Sequence, residues 1–128
     1  MTTLPGVRFL GPIADSRIMA SAYNAADVFI STSLQDNLPS TLVEAQLCGT
    51  PVIGFAIGGQ PEMVDQGKTG FLAEGVSLEG LQKGLQWFEQ SSVNRRAVSE
   101  WAGQRWGRNA TLARWKAFYE TLVSVPSK

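Results

Sequence analysis

Short apolar runs alternate with helix-like spacing of apolar residues along the first part of this chain. The runs predict strands at residues 7–10, 27–32, 51–56 and 71–73. Between them, apolar residues three and four positions apart predict helices at about 16–25 and 40–48, and a short helix at 59–64. Asp15-Ser16 offers an N-cap to the first of these helices, and Tyr23 is predicted on its apolar side. The strand at 27–32 is apolar on both faces, as expected of a central parallel strand. Because strands and helices alternate, the sequence predicts an α/β domain with a Rossmann-like parallel sheet and helices on both faces.

The C-terminal part of the chain carries helix signals only. Ser77 is the expected N-cap of one helix. The apolar face of that helix is predicted to consist of Leu78, Leu81, Leu85 and Phe88. Residues 91–107 are mostly polar, and a final amphipathic helix is predicted from Leu112, Trp115, Phe118, Tyr119 and Leu122. We expect one partial domain over 1–128, with the sheet and site at about 7–74 and a helical tail at about 77–124.

The loop at residues 31–38 connects a predicted strand to a predicted helix start. Pro39 or Ser40 suits the first helical position, because a proline lacks the N–H that would have no partner there. Gly49 suits a left-handed C-cap at the other end of that helix. Ligands of α/β sheets bind at the carboxyl ends of parallel strands, and free helix N-terminal amides attract phosphate. From the residues alone we predict an anion or nucleotide site here.

The composition argues against several other kinds of site. The chain of 128 residues has no histidine, which argues against zinc sites and against serine or cysteine triads. Cys48 is the single cysteine, so an internal disulfide is excluded and a reducing, cytoplasmic compartment is expected. Neither a Walker loop nor a Gly-x-Gly-x-x-Gly fingerprint is found, which argues against kinases and ordinary dehydrogenases. The formal net charge is zero, which gives no indication of a nucleic-acid partner.

An ordered set of short motifs covers roughly the first 75 positions. Asp36 is followed, after seven residues, by Glu44 and Ala45. Then come Gly-Thr-Pro-Val at 49–52 and Gly-Gly-Gln-Pro-Glu at 58–62, with shorter matches at 7–11, 25–29 and 67–72. In this order the motifs resemble the donor-site signature of retaining glycosyltransferases of the family 4 type, which have the GT-B architecture. The resemblance implies the C-terminal, nucleotide-sugar-binding domain of such an enzyme, truncated on its N-terminal side.

The resemblance also implies roles for individual residues. Asp36, one methylene shorter than the family's usual glutamate, is implied as the catalytic-site acid near the transferred sugar. Glu44, roughly 7–9 Å along its helix at 1.5 Å per residue, is implied as the ribose ligand. The remaining implied donor contacts are Asn37, Leu38, Ser40 and Thr41, with Gly58 and Gly59 allowing close backbone approach. The residues alone leave other interpretations open: a turn-forming Asp36, a surface Glu44, simple capping of the helix, and a tight turn at the two glycines.

The implied function is metal-independent and cofactor-free transfer of a hexosyl group from a nucleotide-diphosphate sugar, in glycan or polysaccharide synthesis. The acceptor-side domain and a strand that carries an Arg and a Lys are expected to be missing, so we expect no transfer by this chain alone. The complete enzyme is expected in the cytoplasm, with peripheral membrane association as an option. Two alternatives stay open: another GT-B enzyme such as a nucleotide-sugar epimerase, and a non-catalytic assembly module whose exposed sheet edges favour self-association.

Overall fold

Three short parallel strands form the centre of the fold in a computed structural model that describes residues 4–124. They are β1 (Phe29–Ile30), β2 (Val52–Phe55) and β3 (Gly70–Ala73), in the order β1-β2-β3. Both neighbouring pairs are parallel, and the register places Phe29 beside Val52 and Val52 beside Gly70. The predicted α/β class with a parallel sheet is therefore confirmed.

Six helices flank or follow this sheet within the described residues. They are α1 (Ser16–Ala25), α2 (Ser40–Leu47), α3 (Gln60–Met63), α4 (Leu78–Gln90), α5 (Arg95–Trp106) and α6 (Arg108–Val123). On one face of β2, Val52 packs in a buried cluster with Tyr23 of α1 and Leu42 of α2. On the other face, a Cβ added to Gly84 of α4 would lie 2.5 Å from Ile53 Cγ2. Successive strand residues point to opposite faces, so helices cover both faces, as predicted.

Local capping signals are found where the sequence predicts them. The Asp15 carboxylate accepts hydrogen bonds from the Arg17 and Ile18 amides at 2.8 and 3.4 Å. The backbone bond from Arg17 is the main reason why the pKa of Asp15 is lowered. The Ser77 hydroxyl accepts from the Gly80 amide at 3.0 Å and begins α4. Gly49 ends α2 with φ of +77°, a conformation that favours glycine.

The predicted strand at residues 7–10 is wrong. These residues have no regular structure, and Phe9 and Leu10 are 66% and 61% exposed. The central position predicted for the strand at 27–32 is wrong too: β1 contains two residues and lies at the edge of the described sheet. An apolar run becomes a strand only when a neighbouring backbone pairs with it, and residues 7–10 share no ladder with the described strands.

The predicted apolar face of α4 is wrong in part. Leu78 is 73% exposed and Leu85 38%, whereas Gly80 and Gly84 are buried. A Cβ on Gly80 would lie 2.6 Å from the Ala73 Cβ. The helix therefore approaches the sheet through its glycines, because a larger residue on that side would separate the two layers.

The helical tail is confirmed, although α5 was not predicted as a separate helix. The Asn94 side chain caps α5 by accepting from the Ala97 amide at 3.1 Å, and Val98 and Ala102 are buried. In α6, by contrast, no described residue is buried. The apolar residues predicted for α6 are all more than half exposed: Leu112, Trp115, Phe118, Tyr119 and Leu122.

The side chain of Arg95 ties α5 to the end of α1. Its guanidinium donates to the carbonyl oxygens of Ala26 and Asn24 at 2.6 and 3.0 Å. A third bond, 3.0 Å long, goes to the hydroxyl of Thr50. That hydroxyl is itself buried and donates to the Tyr23 carbonyl at 2.6 Å. One arginine thus satisfies polar groups that lie between the sheet and two helices.

The free edge of β3 is covered by a side chain. Gln66 accepts from the Leu72 amide at 2.8 Å and donates to the Leu72 carbonyl at 3.2 Å. Its carboxamide takes the place of a neighbouring strand and removes one pair of groups on which another chain could pair. Among residues 4–124, no helix combines the length and the apolar composition needed to cross a membrane.

Candidate functional site

The loop at residues 31–39 leaves the carboxyl end of β1 and leads into α2. Ser31 is buried, and its amide donates to the Ile53 carbonyl at 2.8 Å, which extends the β1–β2 pairing into the loop. Pro39 is buried at the other end, whereas residues 32–35 between them are exposed. A loop fixed at both ends and open in the middle is typical of ligand sites in α/β folds.

The first turn of α2 presents free backbone amides. Pro39 is the N-cap, with φ of −65° and ψ of 112°, and no side chain of residues 4–124 caps the helix. The amides of Ser40 and Thr41 make no hydrogen bond within the described part of the chain, and both residues are exposed. Such amides, together with the helix dipole, attract anions. The predicted anion-attracting helix end is therefore accessible, while binding of a donor to it stays a prediction.

Asp36 has a local structural role. Its carboxylate accepts from the Leu38 amide at 3.2 Å, an arrangement that orders the turn before Pro39. The Leu38 amide is consequently occupied, in contrast to those of Ser40 and Thr41. This is the turn-forming interpretation that the residues left open, and the role of Asp36 toward a donor sugar stays a prediction.

Gly58 and Gly59 pack directly against the backbone of the same loop. Gly58 has φ of +53°, and a Cβ there would overlap the Asp36 carbonyl oxygen. A Cβ on Gly59 would overlap the Asn37 carbonyl oxygen, to which the Gly59 amide donates at 2.8 Å. The glycine pair forms the tight turn expected and also lets the backbone of Asp36 and Asn37 lie directly against it.

Glu44 lies in the second turn of α2 and is exposed. The Tyr23 hydroxyl donates to its Oε2 atom at 3.4 Å. Burial raises the pKa of the Tyr23 phenol, and the Glu44 charge adds to this shift. The pKa of Cys48, one turn further along α2, is raised for the same two reasons. No sequence pattern indicates the Tyr23–Glu44 contact, although the spacing of apolar residues places Tyr23 on the apolar side of α1.

Both Glu44 and Tyr23 line a cavity of about 440 Å³ between α1 and α2. Met19 and Cys48 contribute apolar surface to it. A larger cavity of about 670 Å³ lies between β3 and the start of α4, but none of the predicted site residues lines it. We therefore place the candidate site at the first turn of α2 and the smaller cavity, where the predicted chemical groups lie.

In the part of the chain that the structure describes, potential metal-binding side chains do not form a cluster. No three Cys, Asp or Glu side chains there come close enough to hold an ion together. Metal-independent action stays a prediction, as does the absence of a cofactor.

Comparison with known proteins gives one consistent family. The family described as "Glycosyl transferases group 1" matches residues 3–105. A D-inositol 3-phosphate glycosyltransferase from Corynebacterium urealyticum is 31% identical over 125 residues, which are 95% of this chain and 29% of that protein. The protein of the same name from Geodermatophilus obscurus is 41% identical over 119 residues, 93% of this chain and 25% of that protein. The chain thus spans between a quarter and three-tenths of the length of these two relatives.

Proposed function

Because this chain belongs to the family of group 1 glycosyl transferases, we propose that it binds the nucleotide-diphosphate sugar from which such an enzyme transfers a hexosyl group. The observation that carries this proposal is the pair of exposed, unpaired amides of Ser40 and Thr41 at the start of α2. They lie at the carboxyl end of a parallel sheet, where nucleotides bind in α/β folds.

The diphosphate is assigned to the first turn of α2. The two free amides can donate to phosphate oxygens, and the positive end of the helix dipole favours the negative charge. The hydroxyls of Ser40 and Thr41 are available as further donors, since within residues 4–124 neither makes a hydrogen bond. These groups interact with the phosphates, so their contribution to binding does not depend on the base of the nucleotide.

The nucleoside is assigned to the cavity between α1 and α2. A cavity of about 440 Å³ is within the size range of small-molecule sites. The Glu44 carboxylate lines it and can accept hydrogen bonds from the vicinal hydroxyls of a ribose. Because Glu44 follows Ser40 by one helical turn, a diphosphate on the helix end and a ribose at Glu44 can belong to one molecule.

The transferred sugar is then assigned to the loop near Asp36 and Asn37, which Gly58 and Gly59 support. We propose that this chain holds the donor without completing the transfer, because two amides balance little of the charge that develops on the leaving diphosphate. The relatives are named for D-inositol 3-phosphate. Their name favours a phosphorylated inositol as the acceptor, over the growing glycan that the resemblance implied.

A proline at position 40 tests the diphosphate assignment. Ser40→Pro removes one amide donor at the first helical position, where proline is tolerated. Hydrogen bonds to charged groups contribute about 1.5–3 kcal/mol. We therefore expect the dissociation constant for UDP or GDP to rise by about tenfold or more, measured by ligand-observed NMR titration.

Ser40→Ala is the matched control, because it removes the hydroxyl and keeps the amide. Ser40→Pro lacks both groups, so the difference between the two variants reports the amide alone. We expect Ser40→Ala to bind about tenfold or more tightly than Ser40→Pro. Thermal unfolding of both variants should stay close to wild type. Equal binding by Ser40→Pro and wild type, or no binding of either nucleotide by wild type at millimolar concentration, would overturn the proposal.

A further inference from the structure

The side chain of Tyr23 is held in place on several sides. It is 7% exposed, and its ring forms a T-shaped pair with that of Phe29, at 5.5 Å between centroids and 85° between planes. Its backbone carbonyl accepts the hydroxyl of Thr50 at 2.6 Å. A tyrosine packed in this way has little freedom left, so its hydroxyl occupies a fixed position at the wall of the cavity.

The carboxylate that this hydroxyl meets belongs to an exposed residue. Glu44 protrudes from α2, and within the described residues the Tyr23 hydroxyl is its one hydrogen-bond donor, at 3.4 Å from Oε2. Both side chains line the same cavity. From this geometry we propose that Tyr23 is a positioning residue, which directs the Glu44 carboxylate toward the vicinal hydroxyls of the donor's ribose. The inference rests on the proposed function and adds a residue to it.

Tyr23 favours ribose binding because it restricts the flexible side chain of Glu44. An exposed glutamate samples several rotamers, and fixing one of them when a ligand binds costs free energy. A donor already fixed at Oε2 restricts those rotamers before the ligand arrives. Oε1 and the remaining lone pairs of the carboxylate stay available for ribose hydroxyls, because an ionised carboxylate accepts about four hydrogen bonds. The phenol therefore lowers the cost of binding without touching the nucleotide.

Tyr23→Phe removes the hydroxyl and keeps the ring against Phe29. The probes are UDP and GDP, and the 2′,3′-dideoxy form of whichever binds wild type more tightly. We expect Tyr23→Phe to raise the dissociation constant of the ribonucleotide by about three- to tenfold, which corresponds to the free-energy cost of ordering one side chain. The dideoxy nucleotide, which has no hydroxyls for Glu44, should bind both proteins equally. Tyr119→Phe, on the exposed face of α6, is the matched control and should change neither constant.

A double-mutant cycle separates positioning from simple packing. If Tyr23 acts through Glu44, then Tyr23→Phe combined with Glu44→Ala, which leaves no carboxylate to position, binds no more weakly than Glu44→Ala alone. Additive losses, equal losses for the ribose and dideoxy nucleotides, or unchanged binding by Tyr23→Phe would overturn the inference and leave the proposed function standing. Failure of wild type to bind any of the nucleotides would overturn the proposed function, and the inference with it.

Discussion

Gly59→Ala is expected to weaken nucleotide-diphosphate binding more than tenfold and to lower the free energy of unfolding by about 2 kcal/mol, within the range for overpacking a tight site. The added Cβ would overlap the Asn37 carbonyl oxygen and lie 2.8 Å from the Leu38 Cδ2 atom. The first of these contacts is with backbone and cannot be relieved by a rotamer change. The loop at 36–38 would have to move, and the free amides that follow it would move with it.

Gly103→Ala is the matched control for this variant. Gly103 lies inside α5, and apart from the backbone of that helix and the neighbours of Gly103 in the chain, no described atom lies within 4 Å of the position its Cβ would take. Alanine in an open helix interior should raise the free energy of unfolding by about 0.5–1 kcal/mol and leave binding unchanged. Denaturant unfolding and UDP titration of both variants give the comparison. Wild-type binding by Gly59→Ala would show that the glycine turn does not set the loop that the site requires.

Arg95→Ala is expected to lower the free energy of unfolding by about 2–3 kcal/mol, because three hydrogen bonds from a charged donor are lost. The carbonyls of Asn24 and Ala26 and the hydroxyl of Thr50 would lose their shared donor. For a domain of this size the loss corresponds to a melting temperature about 10 °C lower. Chemical denaturation followed by circular dichroism measures it.

The neighbouring Arg96 provides a control on the same helix. Its guanidinium is exposed, and among the described residues it pairs only with Glu100, at 2.8 Å. Exposed ion pairs contribute little to stability, so Arg96→Ala should unfold like wild type. Arg95→Lys should fall between Arg95→Ala and wild type, because lysine keeps the charge but lacks the planar fork that reaches several acceptors. Equal stability of Arg95→Ala and Arg96→Ala would show that the link between α1 and α5 does not stabilise the fold.

The helix boundaries that the sequence predicted well are those with a local cause. Asp15 and Ser77 begin helices because their side chains accept hydrogen bonds from nearby backbone amides, and all three contacts span at most three residues. Gly49 ends α2 because of its own backbone conformation. Such signals can be read from a short window of sequence, so they needed no knowledge of the rest of the fold.

The errors concern residues whose state depends on distant neighbours. The apolar run at 7–10 has the composition of a strand but pairs with no described strand. In α4, Leu78 and Leu85 fit a helical stripe but are exposed, because glycines on another side meet the sheet. Arg95 binds residues 69 and 71 positions earlier, which no local pattern indicates.

The candidate site shows the same division. The loop, the helix start and the tight turn at Gly58 and Gly59 could be predicted, because strand end, proline and glycine occur in an informative order. The contact of this turn with the backbone of Asp36 and Asn37 could not. The contact between Tyr23 and Glu44 could not, since it joins residues 21 positions apart on two helices. The bond from the Leu38 amide to Asp36 is local, and it corresponds to the turn-forming interpretation that the residues left open.

The central claim is that the first turn of α2 receives a diphosphate, and amide chemical shifts test it most directly. In nitrogen–proton correlation spectra of the labelled chain, titration with UDP or GDP should move the Ser40 and Thr41 amides most strongly, because they are unpaired and exposed. The corresponding nucleoside, without phosphate, should leave these two amides unchanged. Shifts concentrated instead around Gln66 and Lys83 in the larger cavity, or identical shifts with nucleoside and diphosphate, would contradict the claim.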